Sequence, residues 1–127
     1  MSGTNLTSFV LDTNIALYHL GNRLSTPLPT GDRYLISVIT EIELLSYPNL
    51  SPTETQQILQ FLNSLLIVNL NTAIKNQAIA WRQQHKLKLP DAIIVATAQT
   101  SNAILLTNDK QLLSLPNLQT QSLPIKP

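Results

Sequence analysis

A chain of 127 residues with a formal net charge of +1 and no cysteine has the size of one compact domain. The missing cysteines exclude a disulfide framework, thiolate metal sites and thiol nucleophiles, and the near-neutral charge excludes a broad basic surface for indiscriminate nucleic-acid binding. Residues 1–7 carry no positive n-region, and no apolar stretch approaches the roughly 20 residues that span a bilayer, so a soluble, cytoplasmic protein without a leader is expected.

Residues 8–11 form a short apolar run with β character, ending at Asp12-Thr13-Asn14. A helix is expected over residues 13–20, with Ile15, Leu17, Tyr18 and Leu20, closed by Gly21 and Asn22. Residues 25–32 hold two prolines, a glycine and two threonines and read as a loop. Tyr34-Leu35-Ile36 is a second strand running into Ser37. From Val38 the pattern becomes helical, with Val38, Ile39, Ile42 and Leu45 on one stripe, until Tyr47-Pro48 stops it.

Ser51-Pro52-Thr53-Glu54 starts a third helix: Ser51 caps, Pro52 fits the first turn, and Glu54 completes a capping box. Its apolar face carries Ile58, Leu59, Phe61, Leu62 and Leu65. Residues 66–70 read as a third strand. Asn71 or Thr72 then caps a helix to about Lys86, with Ile74, Ala78 and Trp81 inward. Pro90-Asp91 opens a nearly all-apolar helix over residues 92–100, which must be central. Residues 103–106 form a fourth strand ending at Thr107-Asn108-Asp109, a short helix follows, and residues 118–122 alternate as a last strand. Strands alternating with helices imply an α/β fold: a central, mainly parallel sheet of four to five strands with helices on both faces, in a single domain. In such sheets ligands bind beyond the carboxyl ends of the strands.

Only seven acidic residues are present: Asp12, Asp32, Glu41, Glu43, Glu54, Asp91 and Asp109. Asp12 and Asp109 each follow a strand, where either also reads as a helix cap. Asp91 shares its helical stripe with Ile94, Val95 and Ala98, so its carboxylate projects toward the buried side. Such a carboxylate needs a cation or hydrogen bonds to compensate its desolvation. Glu41 and Glu43 lie on opposite flanks of their helix, and the helical wheel does not choose between them. Acids gathered at one rim repel unless a divalent cation lies among them. An all-oxygen donor set favours Mg²⁺ or Mn²⁺ over Zn²⁺. His19 and His85 sit near helix ends, away from these acids.

Four segments taken in order resemble the PIN-domain family, specifically the small VapC-type toxin ribonucleases. They are Val10-Leu11-Asp12-Thr13-Asn14, the run from Ile36 through Glu41 and Glu43 to Leu44, the run from Leu87 through Pro90-Asp91 to Ala98, and Leu105-Leu106-Thr107-Asn108-Asp109. The resemblance selects Glu43 over Glu41. It implies that Asp12, Glu43, Asp91 and Asp109 are both catalytic and metal-binding, supported by the polar residues Asn14, Ser37 and Thr107, with Asn14 orienting Asp12. Leu112 stands where the family often has an aromatic residue, and Val95 where a smaller one is common; both bear on packing.

The implied reaction is hydrolysis of an RNA phosphodiester to a 5′-phosphate and a 3′-hydroxyl. Mg²⁺ or Mn²⁺ would activate water and stabilise the leaving oxygen, with no side-chain nucleophile. Arg82, Lys86, Lys88 and Lys110, with Arg23, are candidates to meet RNA phosphates. The resemblance further implies a homodimer held inactive by a small antitoxin protein, with contacts on the second and third helices around Tyr47 and Phe61.

Two other enzyme classes fit less well. A haloacid-dehalogenase-type phosphatase wants a second Asp where Asn14 stands, and a receiver domain wants an Asp at the end of the third strand, where residues 66–71 offer none. A catalytically silent PIN-type binding module and a single-stranded DNA nuclease on the same fold are the alternatives to a ribonuclease.

Overall fold

The computed structural model describes residues 6–127, so most of the segment on which the no-leader reading rests lies outside the described residues. Elements follow in the order β1 (Ser8–Leu11), α1 (Thr13–Leu20), β2 (Arg33–Ser37), α2 (Val38–Leu45), α3 (Pro52–Asn63), β3 (Leu66–Val68), α4 (Thr72–His85), α5 (Leu89–Thr100), β4 (Ile104–Leu106), α6 (Lys110–Leu113) and β5 (Thr120–Gln121). Five strands form one sheet in the order β3-β2-β1-β4-β5, and every pairing is parallel. Both edge strands are very short.

Alternation along the strands divides the core into two layers. Val10, Leu35 and Leu105 point to the side covered by α4 and α5, where Ile74, Ala78, Trp81 and Ile94 pack. Phe9, Leu11, Ile36 and Leu106 point to the side covered by α1, α2 and α3, against Ile15, Leu44, Ile58 and Leu62. The central strand β1 is buried along its whole length. Helix α5 is buried from Ala92 to Ala98, as its composition demands, and Trp81 fastens α4 to it through Nε1–H donating to Gln99 at 2.8 Å.

The chain runs outward from β1 to β2 and β3, then returns to the other side of β1 for β4 and β5. The sheet therefore has a switch point between β1 and β4, where the connections leave in opposite directions and open a crevice at the carboxyl ends.

Several boundaries differ from the sequence reading. Helix α5 begins at Leu89, so Pro90 and Asp91 lie inside its first turn; Pro fits there because the first turn needs no N–H partner. Strands β3 and β5 are shorter than the apolar patterns suggested, because pairing stops where Asn69 and Ser122 leave the ladder. The apolar stripe read on α2 is not its buried face: Ile42 is 56% and Leu45 38% exposed, whereas Thr40 and Leu44 turn inward. Helix α2 follows β2 without a linker, so the exit direction of Ser37 fixes its rotation. Phe61, expected on a contact surface, is instead buried against α1 and meets the His19 ring at a 35° tilt with ring centroids 5.2 Å apart; Tyr47 is exposed.

The expected capping box forms, with Glu54 N–H donating to Ser51 Oγ and Ser51 N–H donating to Glu54 Oε1, each at 3.0 Å. Tight left-handed turns fall on Asn22, Asn49, Lys86, Asn102 and Asn117, and four of these are asparagine, the side chain that tolerates this region best after glycine. Gly31 serves a different need: a Cβ there would come within 2.5 Å of the Phe9 ring, so only glycine lets the loop close over β1.

Candidate active site

Asp12 and Thr107 each follow directly on a strand end, Ser37 is the last residue of β2, and Asp109 lies two residues beyond Thr107, at the carboxyl rim of the sheet. Asp12 N–H donates to Leu106 O at 3.1 Å, which ties the first acid to the neighbouring strand across the switch point.

Asp12 is 6% exposed and caps α1, its Oδ1 accepting from Ile15 N–H at 2.8 Å. The capping reading and the site reading thus describe the same residue. Burial is the main force holding its carboxyl above the ordinary value. Hydrogen bonds from Thr107 and Ile15 oppose that shift, and the charges of Asp91 and Asp109 add to it. Thr107 is wholly buried and bridges two acids: its Oγ accepts from Asp109 N–H at 3.0 Å while its hydroxyl serves Asp12.

Asp91 arrives from the other direction, in the first turn of α5, half-buried above Ile94, Val95 and Ala98. Its carboxyl is raised first by burial, then by repulsion from Asp109 and Glu43, with Lys88 acting the other way. Asp109 is exposed and caps α6, its Oδ1 accepting from the N–H groups of Gln111 and Leu112 at 2.8 and 3.3 Å. Glu43 is half-buried and accepts at Oε1 from the Thr13 hydroxyl at 2.6 Å. From four separate segments the structure thus places Asp91 within electrostatic reach of Asp12, Glu43 and Asp109, and Asp12 within reach of Asp109.

The supporting residues differ in placement. Ser37 is fully buried and caps α2 by accepting from Ile39 N–H at 3.0 Å. Asn14 is exposed and lines a groove beside α1 instead; the hydrogen bonds on Asp12 come from Ile15 and Thr107. Arg82, Lys86, Lys88, Lys110 and Arg23 are all exposed. Arg82 Nε also donates to Leu87 O at 3.2 Å, which holds the α4–α5 turn, and Lys88 lies near enough to Asp91 to affect it. Two residues escaped the sequence reading: Thr13, which bonds Glu43, and Thr40, whose hydroxyl meets that of Thr13 at 3.1 Å. Thr40 lies three residues before Glu43, on the same helical face, and that spacing was the available signal.

Among the described residues no three acidic or imidazole groups converge closely enough to form a finished cation cage. The donor chemistry still fits a hard divalent ion. The four groups are carboxylates, one is nearly buried, and burial and neighbouring acids raise the pKa of Asp12 and of Asp91, a cost that a bound cation would relieve. Oδ1 of Asp109 is engaged with helix N–H groups, which leaves its second oxygen for a ligand, while Asp12 accepts from Ile15 N–H at Oδ1 and also bonds the Thr107 hydroxyl.

Comparison with known proteins agrees with this arrangement. The PIN domain family model matches residues 9–118. No curated protein matches the sequence. Among solved structures, a chain of a toxin–antitoxin complex from Klebsiella pneumoniae is 32% identical, with 86% of this chain and 93% of that chain covered and a TM-score of 0.71. A chain of VapBC-1 from nontypeable Haemophilus influenzae is 25% identical over 91% of this chain and 98% of that one, at a TM-score of 0.74. A chain of VapBC2 from Rickettsia felis, solved bound to a promoter DNA fragment, is 21% identical over the same shares, with a TM-score of 0.77, and shows the shared fold. With the family model spanning nearly the whole chain and the sheet order and acidic rim in place, the chain belongs to the PIN domain family, in its VapC-like group.

Proposed function

We propose that this protein is a metal-dependent ribonuclease acting as the toxin of a toxin–antitoxin pair. PIN-domain chains of the VapC type are nucleases, and PIN nucleases generally use divalent metal ions. The observation that carries the reading is the clustering of Asp12, Glu43, Asp91 and Asp109 around the switch point, where Asp12 and Asp91 are partly withdrawn from water and bear the charges of neighbouring acids.

Asp12 and Asp91 would be the principal holders of Mg²⁺ or Mn²⁺, with Glu43 and Asp109 completing the set. Such an ion supplies water activation and charge stabilisation at the phosphate. The protein's own residues fix the geometry. Ile15 N–H and Thr107 orient Asp12, the rigid first turn of α5 presents Asp91, and the α6 N-terminus aims Asp109. Lys88 and Lys110, exposed beside two of these acids, are placed to meet flanking RNA phosphates, and Arg82 and Lys86 to extend that contact.

The toxin role draws on the toxin–antitoxin complexes in which the similar chains occur. An antitoxin has a suitable seat in the groove of about 460 Å³ between α1, α2 and α3, lined by Leu17, Tyr18, Leu44, Tyr47 and Ile58, next to the exposed Ile42 and Leu45. A homodimer remains part of the proposal.

The test is cleavage of a mixed-sequence RNA oligonucleotide and of single-stranded DNA with Mn²⁺ or Mg²⁺, with and without EDTA. RNA cleavage abolished by EDTA is expected, with Asp12→Asn and Asp91→Asn each reducing it at least about a hundredfold, as loss of several kcal/mol of transition-state stabilisation requires. Cleavage of DNA alone would replace RNA as the substrate, and Mn²⁺ binding without cleavage of either would make the chain a silent binding module.

A further inference from the structure

We infer that Thr13 and Thr40 form a hydrogen-bond relay that positions Glu43, and that this relay, resting on the proposed metal-dependent nuclease reading, is what makes Glu43 rather than Glu41 the acid from α2. Glu43 Oε1 lies 2.6 Å from Thr13 Oγ1. An ionised carboxylate only accepts, so the single proton of Thr13 is committed to Glu43. Thr13 Oγ1 also lies 3.1 Å from Thr40 Oγ1, and with Thr13 already donating, Thr40 must donate to it. The direction is therefore fixed: Thr40 to Thr13 to Glu43.

Three further observations give the relay its function. Thr40 is fully buried within a helix, a position where a threonine hydroxyl commonly turns back on its own helix. Thr97 does so, donating to Ile93 O at 2.7 Å, whereas the Thr40 hydroxyl reaches across to α1. Thr13 immediately follows Asp12, so the relay links the first turn of α1 to the third residue of α2 and locks the two acid-bearing segments in register. Glu43 in turn bears electrostatically on Asp91, so its rotamer affects the field at the opposite side of the rim. Thr13 and Thr40 act through Glu43 and are positioning residues.

The experiment measures Mn²⁺ binding by titration calorimetry and RNA cleavage separately, on Thr13→Val, Thr13→Ser, Thr40→Val and the Thr13→Val/Thr40→Val double variant, with Glu41→Gln as control. Loss of an outer partner of a ligand set typically lowers metal affinity or activity 10–100-fold. Thr13→Val is expected to weaken Mn²⁺ binding and lower kcat by about tenfold each, with KM for RNA unchanged. Thr13→Ser, which keeps the hydroxyl, restores both. Thr40→Val gives a smaller loss, and the double variant is no worse than Thr13→Val, because residues in one network do not add. Glu41→Gln behaves as wild type.

Thr13→Val binding Mn²⁺ as wild type, Thr13→Ser as impaired as Thr13→Val, or strictly additive losses would overturn the relay. If Thr13→Val proves misfolded by circular dichroism, Thr13→Ser and Thr40→Val carry the same comparison. Wild-type protein that binds Mn²⁺ but leaves RNA intact removes the ribonuclease reading, while the Mn²⁺ affinities still decide the relay.

Discussion

Asp12 combines two duties that pull in opposite directions. As a cap it stabilises α1 through Ile15 N–H; its charge, when present, is opposed by burial and by the neighbouring Asp91 and Asp109. Asparagine keeps the capping oxygen and removes the charge. Asp12→Asn is therefore expected to raise the melting temperature in EDTA at pH 7 while abolishing cleavage, measured by calorimetry and RNA assay on the same sample. The pH dependence follows from linkage. Asp12 and Asp91 both have folded-state pKa values above the unfolded value of 3.8. In the window between, the folded chain binds more protons than the unfolded one, so their contribution to stability is full below the unfolded pKa and is lost as pH rises through the folded pKa. The stabilisation by Asp12→Asn in EDTA should accordingly shrink as pH is lowered through that window; a constant difference across pH would refute the assigned cause. At this scale the sequence was partly legible. Asp12 and Asp109 stood out as scarce carboxylates at strand ends and Asp91 as one on a buried helical stripe, whereas Glu43 could be told from Glu41 only through the family resemblance. The Thr40–Glu43 spacing was visible in the sequence, but the Thr13–Thr40 contact spans 27 residues, so Thr13 as the partner was not.

Among the elements, those with chemical punctuation were the most legible. Ser51, Pro52 and Glu54 marked the start of α3, and the capping box is present as expected. Helix α2 was misread in its facing because four aliphatic side chains suggested the buried stripe, while packing selected Thr40 and Leu44. The directness of the β2–α2 junction, and not hydrophobicity, decided the rotation. Helix α4 ends differently again: Lys86 holds the left-handed cap conformation with φ of 54°, a place that glycine usually takes. Lys86→Gly is expected to stabilise the protein by roughly 1 kcal/mol, the order of the left-handed penalty for a residue with a Cβ. A urea denaturation series that shows no gain would mean that lost unfolded-state entropy offsets it.

For the molecule as a whole, the α/β alternation and the parallel sheet were legible because strands buried on both faces read as continuous apolar runs. The strand order was not, since the return of the chain to the far side of β1 depends on which layer α4 and α5 cover. That return creates the crevice around which the acids gather, and under the proposed metal-dependent reading the fold's stability would respond to cations. At a hundredfold excess over its dissociation constant, a ligand bound only by the folded state adds about 2.7 kcal/mol. Mn²⁺ or Mg²⁺ should thus raise the wild-type melting temperature and leave an Asp12→Asn/Asp91→Asn double variant unmoved, as differential scanning fluorimetry would show. The brevity of β3 and β5 has a separate result. With three and two residues respectively, the two outer borders offer almost no backbone template to an incoming strand, which disfavours edge-to-edge polymerisation of crowded copies of this chain.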